Sequence, residues 1–143
     1  MGIERKTTFE IDIQPMGAVR MTRAGKYMSA KTSSHYKAVQ RYLSYKKFIG
    51  YEILRQREEG MLTGSLEVNL TFTMPILASW SGKKQRESVG KPHNKKPDID
   101  NLIKGIFDAA NKVAWEDDNQ IYKVTAVKVY GEKPGFKMEI HQY

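Results

Sequence analysis

A chain of 143 residues, 40% hydrophobic and 28% charged, is long enough to bury one core and too apolar to be disordered. It carries 24 Lys and Arg against 16 Asp and Glu, a net charge of +8, which favours a polyanionic partner, nucleic acid first. The absence of cysteine excludes a disulfide framework, a thiol nucleophile and a thiolate metal site; with no apolar run near the roughly 20 residues of a membrane span, and no apolar core in Met1–Lys6 for a secretory signal, the expected compartment is the cytoplasm.

Thr8 to Ile13 alternates, with Phe9, Ile11 and Ile13 on one face, and predicts a strand with one buried side, closed by Gln14-Pro15. The loop beyond it carries Arg20, Arg23 and Lys26 beside Tyr27, with glycines at 17 and 25. Three cations next to an aromatic ring suit a phosphate backbone and an unstacked base, the plain alternative being a solvated loop. Ser33 or Ser34 caps a predicted helix that runs to about Glu59 and stops at Gly60. Its tyrosines, Tyr36, Tyr42, Tyr45 and Tyr51, read as core with hydroxyls at the rim rather than as a base-stacking platform. Leu66, Val68, Leu70, Phe72 and Met74 alternate with polar residues in the clearest strand of the chain, closed by Pro75.

Residues 79–96 read as a long basic loop. Lys83, Lys84, Arg86, Lys91, Lys95 and Lys96 face the single acid Glu87, a local balance of +5, and Gly82, Gly90, Pro92 and Pro97 oppose regular structure. A loop of that length inside a compact domain is usually functional, and nucleic-acid contact with ordering on binding is the expectation. A second helix is predicted from Asp100 or Asn101 to about Ala114, with Leu102, Ile103, Ile106, Phe107 and Ala110 on its apolar stripe. Ile121 to Tyr130 and Phe136 to His141 predict two strands joined at Gly131–Gly135 as a C-terminal hairpin. The order β-α-β-α-β-β gives an α+β fold, one domain over residues 1–143 with two helices on a mixed sheet.

Acidic residues concentrate between Lys96 and Ile121. Pro97 favours an extended entry to the second helix, so Asp98-Ile99-Asp100 is expected as an extended tripeptide with both carboxylates on one side. Asp100 also stands where an N-cap belongs, which is the structural alternative for it. Asp117-Asp118 precedes the next strand, where a polar turn is the plain reading. The intervening helix is roughly 21 Å long, so its two ends meet at one site only if the chain folds back after Trp115. Converging carboxylates would select a hard cation, Mg²⁺ or Mn²⁺. His35, His93 and His141 are isolated and show no zinc spacing. Lys104, one turn beyond Asp100, either forms an i,i+4 pair with it or reaches a phosphate.

Lys96-Pro97-Asp98-Ile99-Asp100-Asn101-Leu102, Lys104, Phe107-Asp108-Ala109 and Asp117-Asp118, Gln120-Ile121 together resemble the RusA family of Holliday-junction resolvases, common in phages and prophages. The resemblance implies a small homodimeric, Mg²⁺-dependent endonuclease, Mn²⁺ being a possible substitute, that nicks four-way DNA junctions in a bacterial host cytoplasm. By position, Asp98, Asp100 and Asp118 look like the essential carboxylates and metal ligands, Lys104 like the catalytic lysine, and Asp117 like a lesser ligand candidate. The loop between Pro75 and Asp98 is longer than in the best-known member. A two-fold protein suits a two-fold junction, with the first helix or the C-terminal hairpin as its interface. Two other readings compete: a non-catalytic DNA-binding protein whose aspartates only cap and turn, and a metal-dependent nuclease acting on other branched nucleic acids.

Overall fold

The computed structural model describes residues 5–20 and 34–143. Arg23, Lys26 and the cap candidate Ser33 lie outside the described residues. The elements follow as β1 (Arg5–Ile11), α1 (Ser34–Gln56), β2 (Leu66–Pro75), α2 (Gly82–Ser88), α3 (Ile99–Ala110), a 3₁₀ turn (Asp118–Gln120), β3 (Ile121–Gly131) and β4 (Gly135–Gln142).

The alternation read from β2 is what its environment requires. Leu66, Val68, Leu70, Phe72 and Met74 are all buried while the residues between them are half-buried. That face packs with Phe9 and Ile11 of β1, Met138 and Ile140 of β4, and the apolar sides of α1 and α3, among them Tyr42, Ile49, Ile53, Leu102 and Ile106. Trp115 is fully buried with its ring edge-on to Phe107 at 5.6 Å. The rings of Tyr42 and Tyr45 are core as expected, stacked at 6.5 Å, but the Tyr45 hydroxyl is buried rather than at the rim; Tyr51 is exposed.

The sheet has the order β1-β4-β2-β3, with β1, β4 and β2 antiparallel in turn and β3 parallel to β2. The mixed sheet is as expected. The C-terminal hairpin is not: β4 is inserted between β1 and β2, so β3 and β4 never touch. Residues 132–134 connect them by passing over the end of β2, a span of about two inter-strand spacings, roughly 10 Å, which three residues and their flanking bonds cover. Gly131 makes that close passage, since a Cβ there would collide with Thr73 Cγ2.

A second correction concerns residues 79–96. They hold a third helix, α2, capped by Ser81, whose side chain accepts from the Lys84 amide. Ser88 Oγ donates to the Lys84 carbonyl, and the Trp80 ring packs on Tyr130 at 5.4 Å. Residues 90–93 then run along β3, with Gly90 N–H to Tyr130 O, Tyr130 N–H to Lys91 O and His93 N–H to Lys128 O. Gly82 is the first residue of this seven-residue helix, and Pro92 lies beyond its end in the extended segment bridged to Val129 of β3. α1 also ends at Gln56 rather than Glu59, and α3 at Ala110 rather than Ala114. After α3 the chain reverses at Lys112, which adopts a left-handed φ of 67°, and this turn drives Trp115 into the core.

Candidate nuclease site

The connection from β2 to the parallel strand β3 fixes the direction of α3, which must return antiparallel to both. Its N-terminal end therefore meets the late part of β3: Lys128 Nζ donates to the Pro97 carbonyl at 2.6 Å and to that of Lys95. Its C-terminal end meets the start of β2, where Leu62 N–H bonds Ala114 O.

At the N-terminal end Asp98, not Asp100, is the N-cap. The helix starts one residue earlier than expected, so the tripeptide is not extended, and Asp100 lies in the first turn. The Asp98 side chain makes no capping hydrogen bond, and both carboxylates are exposed. Beside them is an open cleft of about 690 Å³, lined by Gln14 to Gly17, Arg41, Lys96, Pro97, Asp98 and Asn101. Asn101 holds the wall of this cleft in place: its Nδ2 donates to Ala18 O at 3.1 Å, and its backbone carbonyl accepts from Ala18 N–H. Gly17 is packed so closely there that a Cβ would stand 2.8 Å from Asn101 Nδ2. Arg20 is exposed just beyond.

Lys104 does not pair with Asp100. Its ammonium lies 3.6 Å from Asp108 Oδ2, and its side chain remains 67% exposed. Asp108, which carried no assignment in the sequence, accepts a 2.9 Å hydrogen bond from the buried Tyr42 hydroxyl. Burial and the adjacent Asp108 carboxylate together push the Tyr42 phenol well above its ordinary range, so it stays a donor.

Asp117 and Asp118 sit at the other end of α3. Asp117 caps the 3₁₀ turn, accepting from Asn119 N–H at 3.0 Å, while Gln120 Oε1 accepts from the Glu116 and Asp117 amides. Asp118 Oδ1 accepts from Trp115 Nε1 at 2.8 Å. The 12 residues of α3 place roughly 18 Å of helix between this turn and Asp100. Ile121 to Lys128 adds a matching measure, roughly 23 Å of strand. The chain does not fold back after Trp115 as the convergence of three carboxylates requires. Among the described residues no three His, Asp or Glu side chains are grouped to hold a metal ion. One chain thus places Asp98 and Asp100 beside the cleft and Asp117 and Asp118 at the other end of α3.

The basic residues divide into two groups. Lys96 and Arg41 line the cleft. Lys83, Lys84, Arg86, Lys91 and Lys95 are exposed on and after α2, with Lys84 Nζ 4.1 Å from the Trp80 ring centroid. Arg41, Lys128 and the Tyr42–Asp108 pair escaped the sequence reading. Tyr42 reaches Asp108 across 66 positions and Lys128 reaches Pro97 across 31, and no local spacing signals such contacts. No helix among the described residues is long and apolar enough to cross a membrane.

A profile of the family described as endodeoxyribonuclease RusA matches residues 12–141. The chain is also 29% identical over 102 residues to the uncharacterized protein YqaN of Bacillus subtilis (strain 168), an alignment covering 68% of this chain and 72% of that protein.

Proposed function

The chain belongs to the RusA family and is an endodeoxyribonuclease, a hydrolase that resolves Holliday junctions, and from that premise we propose how its residues serve the reaction. Nucleases of the family are generally metal-dependent. We assign Mg²⁺ as the cation, with Mn²⁺ as a substitute, because an all-oxygen donor set favours hard divalent ions. Asp98 and Asp100 are the carboxylates at the cleft; Asp118 is assigned as the third essential carboxylate from the family motif, although within one chain it stands at the other end of α3, and Asp117 is a lesser candidate that its capping duty competes for.

The observation that carries this reading is the Asp98 carboxylate: an N-cap aspartate that makes no capping bond, exposed at the rim of a cleft lined with Arg41 and Lys96. A cap position normally engages its side chain, so a free one keeps all its acceptor capacity for a ligand. Arg41 and Lys96 supply cations on either side for a DNA backbone threaded along the cleft. Lys104, on the same face of α3 one turn from Asp100, stabilises charge on the phosphate undergoing attack. Arg20, exposed beyond the cleft wall, extends the binding track, and Arg23 and Lys26, which lie outside the described residues, are proposed as further phosphate contacts. Lys83, Lys84, Arg86, Lys91 and Lys95 extend it further, where they grip a junction arm. The enzyme acts as a homodimer on branched DNA.

The test is nicking of a synthetic four-way junction with Mg²⁺ by wild type and Asp100→Asn. The variant is expected to lose at least 100-fold in rate while its junction affinity in chelator is unchanged. A variant that cuts as well as wild type overturns the assignment, and a wild type that prefers flaps or ends over junctions replaces the substrate.

A further inference from the structure

Three residues of the cleft wall, Gln14, Met16 and Arg41, also wall a second depression, of about 540 Å³. Asp98 lines only the first; Ile13, Gln40, Tyr45 and Phe48 line the second. Its α1 residues lie at steps of three and four, Gln40 to Ser44, Arg41 to Tyr45 and Tyr45 to Phe48, so they share one face of the helix. The Tyr45 ring is buried and stacked on Tyr42, which fixes the floor. Ile13 and Met16 are partly buried against the core. Phe48, by contrast, is 42% exposed. An exposed phenylalanine standing alone on a helix is ordinary; one that walls an apolar concavity beside a charged cleft calls for an occupant.

The lining has the chemistry of a base site. The face of an aromatic ring stacks with a nucleobase of any sequence. Gln14 and Gln40 each carry an amide that both donates and accepts, as the edges of bases do. Arg41 is the charged residue of the lining, and among the described residues no carboxylate lines the depression to repel a phosphate. Because Arg41 belongs to both depressions, a strand whose phosphates follow the cleft passes the mouth of the second one. In a paired duplex the bases of that strand stay in the stack. Beside a branch point a base lacks one stacking neighbour, which lowers the cost of swinging it out.

We propose that the depression between residues 13–16 and α1 takes one unstacked nucleobase from beside the branch point of the bound DNA, with its ring on Phe48 and its edge met by Gln40 and Gln14. The pocket rests on the nuclease reading above and deepens it. Lys96 and Arg41 meet phosphates, which position DNA without reading it, whereas a base held on Phe48 makes the site sensitive to sequence at the branch.

The experiment measures binding in chelator, where no strand is cut. The substrates are a synthetic four-way junction and a set in which one nucleotide at a time beside the branch is made abasic. Phe48→Ala is expected to weaken binding to the intact junction roughly 10-fold and to leave one abasic junction bound as by wild type, since the base that Phe48 stacks is already missing there. Leu54→Ala, at an exposed position of α1 outside the pocket, should bind every junction as wild type does. Equal loss by Phe48→Ala on all junctions, or loss on none, overturns the pocket. Gln40 is exposed, so Gln40→Ala gives a second reading that does not strain the fold. The spread of affinity among the four bases at the position found should narrow about 5-fold in that variant, and an unchanged spread overturns the edge contact. If wild type nicks junctions while Phe48→Ala shows no dependence on the abasic position, the pocket is wrong and the nuclease reading stands. If wild type neither binds nor nicks branched DNA, that reading falls and the pocket with it.

Discussion

Asp100 and Asp108 stand two helical turns apart on α3 and do opposite work. Asp108 is tied to the buried Tyr42 hydroxyl, so removing it strands a donor inside the protein. Asp108→Ala is expected to cost about 1–3 kcal/mol in urea denaturation, whereas Asp100→Asn, at an exposed position, should change stability by less than about 0.5 kcal/mol. That contrast separates an aspartate that holds the fold from one that is free for chemistry. Lys128 belongs with the first kind, although it lies at the site. Its ammonium binds the carbonyls that lead into Asp98, so Lys128→Met should lower nicking without altering the salt dependence of junction binding.

Among the elements, α2 and its flanks depend on the β3 surface through Trp80, His93 and Tyr130. His93 is buried, with its ring edge-on to Tyr130 at 4.9 Å. Burial, then the nearby Lys128 and Lys95 charges, hold its pKa below the ordinary histidine value. The sign follows: the folded state favours neutral His93, so this stability is complete above the unfolded pKa of about 6.5 and is lost as pH falls from there through the lower folded pKa. Thermal denaturation between pH 7.5 and 5 should show the loss, and His93→Phe should remove that component. On its outer face α2 presents Lys83, Lys84 and Arg86. If these grip a junction arm, replacing Lys84 with Ala lowers the slope of log affinity against log salt by about 1, a change that binding titrations at several salt concentrations measure.

For the whole molecule, one core joins both ends of the site. Ile106 is fully buried under α3 against the sheet, and Ile106→Ala should cost about 2–5 kcal/mol, read from the midpoint of a denaturant transition. Because α3 positions Asp98, Asp100 and Lys104 as one body, that loss should weaken nicking most at elevated temperature, where a smaller stability margin leaves more of the chain unfolded. The net charge of +8 acts at the same scale, drawing DNA to the protein before any specific contact forms.

The sequence by itself determined the elements whose side chains repeat with the period of their backbone. Phe9 and Ile11, the β2 alternation from Leu66 to Met74, and the stripe from Leu102 to Ala110 each state which face is buried, and burial follows. It also determined the family, because Lys96 to Ile121 concentrates residue types at spacings that the resemblance uses. Short α2 was not legible, since a seven-residue helix owes its stability to Tyr130 and β3 rather than to its own propensity. The insertion of β4 between β1 and β2 was equally hidden, because adjacent strands with a short link read as a hairpin whichever neighbours they choose. Only the tertiary structure decided where Asp118 lies. Sequence spacing gives the length of α3 but not the direction of the chain beyond it, and the parallel pairing of β3 with β2 sends Asp118 to the end of the helix opposite Asp98 and Asp100.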